Sequence, residues 1–306
     1  MKIAHSNTDL DEITLPRMPS WVTAARSESL EDMSFLSGAA LGHLHLVLGS
    51  GHVPQGLLRE RLALRAAEAS VVLSGRPERA ADLRDAVHLL RPGDLPGPAG
   101  ELYQHWQHAV ERPVSVKALH RALPSYSVPA LAVWLDQCHR PDKHDLRGAG
   151  KGGPVVRAQA VLEAVLSDHP RAEHVALILA DTALAQALGW KYAVPLLGGG
   201  LTRLDLRKTG DDLKLACHRA IVASAIEATR MATDLARRAA RLHAVTPELR
   251  AKGAGGAVEM FLTRDAVTPS ALPLPDRAAR RLCARLVSLD AVRELTGRDS
   301  FRLYGV

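Results

Sequence analysis

"DRAARRLCARLVSLDAVRELTGRDSFRLYGV", residues 276–306, decides how the rest of the chain is read. Its first half places Ala279, Leu282, Leu286 and Leu289 on one side of a helix and Arg277, Arg281 and Arg285 on the other, with Asp276 as the expected N-terminal cap. Behind that helix, "AVREL" and "SFRLY" flank "TGRD", so two short strands are expected, with Gly297 in the turn and Arg298 at its tip. Helix followed by hairpin is the order of a winged helix. In such a module the helix enters the major groove and the wing reaches backbone or minor groove, which makes Arg277, Arg281, Arg285 and Arg298 the candidate phosphate contacts. Two features pull the other way. "TPSALPLP", residues 268–275, leaves room for barely a turn where a helix-turn-helix has its full second helix, and Asp276, Asp290, Glu294 and Asp299 offset much of the arginine charge. A protein-docking surface is therefore the alternative to DNA.

Upstream, the chain reads as helices. Hydrophobic residues make up 47% of the 306 positions and aromatic residues 4%, which supplies a core of small and aliphatic side chains and favours helix over strand. The formal charge is +6, a mild preference for polyanions. With 31 arginines against 8 lysines, the excess has the look of a compositional bias and carries little weight. Residues 34–48 predict a helix with Gly38 and Gly42 on one face, where a second helix can come close. Helical spacing continues through Leu57, Arg61, Leu64, Ala67 and Val71, and Pro77 and Glu78 can open the next helix. "HVALILADTALAQALGW" predicts a buried helix ending at Gly189, and Gly198–Gly200 a flexible turn. From Asp211 to about Val245 runs the longest helix, its apolar stripe formed by Cys217, Ile221, Ala225, Ala228, Ala232, Leu235, Ala239 and Leu242. Its pairs Glu227/Arg230 and Asp234/Arg238 are spaced for ion pairing.

Candidate chemistry is sparse. "RPGDLPGPAG", residues 91–100, holds three prolines and three glycines, which argues against regular structure and for a specified corner. His88, Arg91 and Asp94 could there form an acid/base or anion site; the plainer alternative makes Asp94 a cap for the following helix. "GAGKGG" fails as a phosphate loop because Asp145 stands where the first glycine belongs and Gly152 where Ser or Thr belongs. The histidine groupings His43/His45/His52, His105/His108 and Cys138/His139/His144/Asp145 match no metal-ligand spacing, so neither metal nor cofactor is expected. Cys138, Cys217 and Cys283 lie far apart and are expected reduced and mostly buried. The N-terminus lacks an apolar signal core, and a cytoplasmic protein without membrane contact follows as the expectation. The catalytic residues, if any, and the oligomeric state are not legible.

The segments "FLSGAAL", "RLALRAAEAS", "LRDAVHLLRPGDLPGPAG", "LACHRA" and the C-terminal stretch together resemble an uncharacterised, often plasmid-borne alphaproteobacterial family, domain of unknown function 1403, from about Trp21 onward. Separately, "LVSLDAVRELTGRDSFRLY" is similar to the winged-helix tail of Fic-type proteins. The Fic motif HxFxxGNGR is absent, so AMPylation is not implied. The combined expectation is a mainly α protein: a multi-helix bundle in two halves with a C-terminal winged-helix-like segment ending in a β-hairpin. It divides into a disordered lead-in over 1–20, an N-terminal helical half over 21–140, a Gly-rich linker or loop over 141–154, a second half over 155–250 and the winged-helix-like module over 256–306. The expected role is DNA binding or regulation through that module, with duplex DNA or a DNA-bound protein as partner. An interaction scaffold and an enzyme using the His88–Asp94 corner are the alternatives.

Overall fold

Unbranched side chains lose little rotamer freedom in a helix, and helices form nearly all regular structure in the computed structural model, which describes residues 15–24, 27–91, 93–136, 152–249, 253–298 and 300–306. The helices are α1 (Ser20–Thr23), α2 (Leu30–Leu48), α3 (Gln55–Leu73), α4 (Ala80–His88), α5 (Gly97–Glu111), α6 (Val116–Ala122), α7 (Val128–Asp136), α8 (Pro154–Asp168), α9 (Glu173–Ala187), α10 (Leu197–Gly200), α11 (Gly210–Val245), α12 (Ala254–Thr263) and α13 (Asp276–Ser288). Two short strands, β1 (Arg293–Glu294) and β2 (Tyr304–Gly305), pair antiparallel after the last helix. The chain is thus a mainly helical bundle closed by a small hairpin. Among the described residues no helix is long and apolar enough to cross a membrane.

The residues group into two compact units, neither of them contiguous: a larger one built on Ser20–Leu41 and Arg59–Ala225, and a C-terminal one built on Gly42–Leu58 and Ile226–Val306. At the centre of the larger unit, α9 is buried without a break from Val175 to Ala185, as a helix apolar all round must be. It packs along α8 and touches α5, α7 and α10. The one carboxylate in that stretch, Asp181, needs donors in place of water. Its Oδ1 accepts the N–H groups of Leu196 and Leu197 at 3.1 and 2.8 Å, and its Oδ2 that of Gly198 at 2.9 Å. Burial pushes the Asp181 carboxyl up to about 7, while the three N–H groups pull the other way.

Several local expectations are corrected. Gly198–Gly200 is a packed helical turn: a Cβ on Gly198 would lie 2.2 Å from Cη2 of buried Trp106, and one on Gly200 would lie 2.7 Å from Oγ of Ser224. Gly38 and Gly42 face open space and are exposed, so no helix approaches there among the described residues. The helix expected from Pro77 starts at Ala80, where Asp82 accepts the Arg79 N–H at 2.9 Å. Regular structure begins inside the Pro/Gly corner, at Gly97, because a proline in the first helical turn forfeits no bond. Of the lead-in, residues 1–14 lie outside the described residues, whereas Leu15 is buried and α1 starts at Ser20. The linker lies outside them as far as residue 151.

Other expectations hold. Every residue of the α11 stripe is buried. Asp234 pairs with Arg238 at 2.8 Å, and Glu227 with Arg230 at 4.0 Å.

Candidate nucleic-acid interface

In the C-terminal unit, the periodicity of α13 buries Ala279, Leu282, Cys283 and Leu286 and leaves Arg277, Arg280, Arg281 and Arg285 exposed. The helix is short and sharply amphipathic, so its apolar face fixes which side the arginines present. Asp276 does not cap it. Pro275 occupies the N-cap position, which places Asp276 in the first turn; from there its carboxylate accepts from Arg280 Nε at 3.2 Å.

The far end stops in a Schellman turn: Ala291 N–H donates to Leu286 O at 3.0 Å and Asp290 N–H to Val287 O at 2.9 Å, with Asp290 in the left-handed region at φ 53°. Arg241 of α11 donates from Nε and Nη2 to the Leu289 carbonyl at 3.3 and 3.2 Å and lies 3.5 Å from the Asp290 carboxylate. This clamp sets the direction in which the chain leaves α13 for the hairpin.

In the hairpin Arg293 pairs with Gly305 and Glu294 with Tyr304. Tyr304 also bridges Val267 on its other side, through Val267 N–H to Tyr304 O at 2.8 Å and Tyr304 N–H to Val267 O at 2.9 Å. A bridge position before α13 and the hairpin after it therefore meet at Tyr304, with α12 upstream of both. That is a winged-helix-like arrangement in which the second helix is reduced to the 3-10 turn Pro269–Ala271, as the prolines of "TPSALPLP" require. The wing is looser than the expected pair of five-residue strands. Glu294 accepts from the Thr296 hydroxyl and N–H and from Gly297 N–H, Gly297 sits at φ 62°, and the chain then loops until Leu303 returns. Arg298 is exposed near the tip. Phe301, expected in a strand, is at φ 54° and 67% exposed.

The structure brings Arg277, Arg281 and Arg285 onto one helix and places Arg298 on the adjoining wing. It adds two residues that the sequence reading did not use. Arg280 shares the exposed surface and was visible three positions from Arg277. Glu248, 3.8 Å from Arg285, was not, because only tertiary packing sets the 3-10 turn Thr246–Glu248 beside α13. Between α13 and that turn runs an open groove of about 710 Å3 whose lining includes Pro247, Glu248, Leu249, Arg281, Leu282 and Arg285.

The whole C-terminal segment falls within a match to a family model described as "Protein of unknown function (DUF1403)", which covers residues 6–306. The chain belongs to that family. Membership in DUF1403 therefore spans the helical units and the hairpin together. No curated protein matches the chain significantly.

The other candidates of this DUF1403 protein lie in the larger unit. Asp94 closes its own corner: Oδ2 accepts the Arg91 N–H at 3.1 Å and its N–H donates to Arg91 O at 3.0 Å. Asp94 does not cap α5, whose N-cap is Pro96. His88, the last residue of α4, packs edge-on against Tyr103 at 6.5 Å between ring centres, and Arg91 is exposed. His105 stacks on His174, 5.5 Å between centroids, and burial together with the His105 charge pulls His174 down to about 4. No group of three or more His, Cys, Asp or Glu able to hold a metal occurs among the described residues. Cys138, His139, His144 and Asp145 lie outside them. Cys217 and Cys283 are free and buried, their thiols pushed up to about 12 and 11 by burial.

Proposed function

We propose that this DUF1403 protein binds duplex DNA through its winged-helix-like segment and acts in plasmid or transcriptional control. The observation that carries the reading is the division of α13: one side is core, and the other presents four arginines to solvent next to a wing bearing Arg298. Arg277, Arg281 and Arg285 would neutralise phosphates along the groove, with Arg298 reaching the backbone or minor groove beyond.

The test is fluorescence anisotropy with a labelled duplex across a salt series. Four phosphate contacts give a slope of log K against log salt of about −3.6. Replacing Arg277, Arg281, Arg285 and Arg298 together with Gln should remove most of that slope. An unchanged affinity and slope in the quadruple variant sinks the reading.

One observation favours a second reading, docking of a protein segment. The groove between α13 and the Thr246–Glu248 turn has apolar walls in Pro247, Leu249 and Leu282 with Arg281, Arg285 and the carboxylate of Glu248 at its edge, a mixed composition that suits a peptide with an apolar anchor and an acidic group for Arg281. In that case Leu249→Ala, outside α13, should weaken partner capture without altering DNA binding.

A further inference from the structure

A cleft in the larger unit carries chemistry that the C-terminal segment does not use. It is an open depression of about 420 Å3 between α3, the start of α4 and the turn that follows α10. Arg65 and Glu68 line it from α3, Arg79 from the residue before α4, and Arg203 from the turn. Three arginines on three separate elements thus line one concavity together with a single glutamate.

A guanidinium keeps its charge throughout the physiological range, so the wall of the cleft carries positive charge at any such pH. Glu68 offsets part of it, 3.8 Å from Arg79, whose side chain is nevertheless 71% exposed. Arg203 lines the cleft and is held in place by donating from Nη2 to the Leu73 carbonyl at 2.6 Å, a bond that uses one nitrogen of its planar donor fork. The backbone of Gly199 lines the same space with no side chain to fill it: a Cβ there would meet only Arg65 Cγ, at 4.0 Å. Val72, 51% exposed, and Leu201 give the remaining wall an apolar character.

We propose that this cleft binds a phosphomonoester with an apolar or aromatic organic part. The lining carries a net charge of plus two, three arginines against one glutamate, which matches a dianionic phosphate. Arginine forks suit its oxygens, and the apolar wall takes the organic group. The volume lies in the lower part of the range of about 300–1,000 Å3 usual for small-molecule sites and exceeds what a bare phosphate needs.

The test is titration calorimetry on the full chain with phenyl phosphate, against inorganic phosphate and phenol as its two halves. Phenyl phosphate should bind one to one with a Kd below about 1 mM, inorganic phosphate roughly tenfold more weakly, and phenol not measurably. Arg79→Gln, a change at an exposed side chain, should weaken phenyl phosphate roughly tenfold with an unchanged melting temperature, and Arg203→Gln likewise. Arg277→Gln in the other unit should leave binding as it is. Hydrogen exchange on the wild-type protein should show ligand protection at residues 65–79 and 199–203, a readout that stands even where a variant folds poorly. Absence of saturable binding, full affinity in a folded Arg79→Gln protein, protection elsewhere, or inorganic phosphate binding as tightly as phenyl phosphate each overturns the proposal.

Discussion

Asp181→Asn isolates the least ordinary ionisable group in the larger unit. The wild-type carboxyl has a pKa near 3.8 when unfolded and about 7 in the folded chain. Between those values the folded state holds the proton that the unfolded state has released, so stability is greatest below pH 4 and falls as pH rises to 7. Each unit of difference corresponds to about 1.4 kcal/mol, so roughly 4 kcal/mol disappears across the window. Asparagine does not titrate. It keeps one acceptor oxygen for Leu196 and Leu197 but turns an amide donor toward the Gly198 N–H, a fixed cost of about 1–3 kcal/mol.

Urea denaturation of both proteins at several pH values from 4 to 8 gives the difference directly and cancels the histidines common to both. The stability of the wild type minus that of the variant should fall by about 1.4 kcal/mol per pH unit up to pH 7 and then level off. A flat difference, or one that rises with pH, would falsify the burial argument. It would mean that the three N–H donors outweigh desolvation and hold the carboxylate ionised.

Two further outcomes follow from the same core. Gly198→Ala should destabilise by about 1–3 kcal/mol in urea melts, because the new Cβ would sit 2.2 Å from a Trp106 ring pinned by its Nε1 bond to Ser70 at 2.9 Å. Gly199→Ala, with nothing nearer than 4.0 Å, should be neutral or slightly stabilising; equal effects at the two positions would contradict the close approach. For His174, imidazole NMR should place the titration midpoint near 4, and a midpoint above 6 would refute the desolvated stack with His105. Because this pKa is lowered on folding from 6.5, its contribution of up to about 3 kcal/mol is present above pH 6.5 and lost as pH falls toward 4, opposite in sign to Asp181.

Much of the fold was legible because single helices announce themselves by period. The α11 stripe, the breakerless run of α9 and the amphipathic α13 all follow from spacing alone. What could not be read is how helices share neighbours. α2, α3 and α11 each contribute residues to both compact units, and a linear scan for Gly and Pro finds loops, not units that one helix can pass between. Glycines were the other weak point. Gly198 and Gly200 are required by a tryptophan ring and by the backbone and side chains of α11, whereas Gly38 and Gly42, whose spacing looked purposeful, meet nothing. Glycine marks a position where a side chain is dispensable, and only the partner shows why.

The arginines of α13 illustrate the same boundary at the site. Spacing put Arg277, Arg281 and Arg285 on one helical surface, yet their surroundings differ. Arg280 is held by Asp276 and Arg285 is faced by Glu248, whereas Arg277 and Arg281 make no ion pair among the described residues. Positive potential is therefore concentrated toward the first half of α13, where the helix dipole adds to it, and that is also the end a recognition helix directs at bases. The last half, with Glu248 alongside and apolar Leu249 and Leu282 below, is the half that the peptide-docking reading needs. The two proposed readings thus share Arg281 and Arg285 and differ in what lies beside them, and the residue on the groove side, Glu248, comes from a turn more than 25 positions upstream that no reading of α13 alone could have brought in.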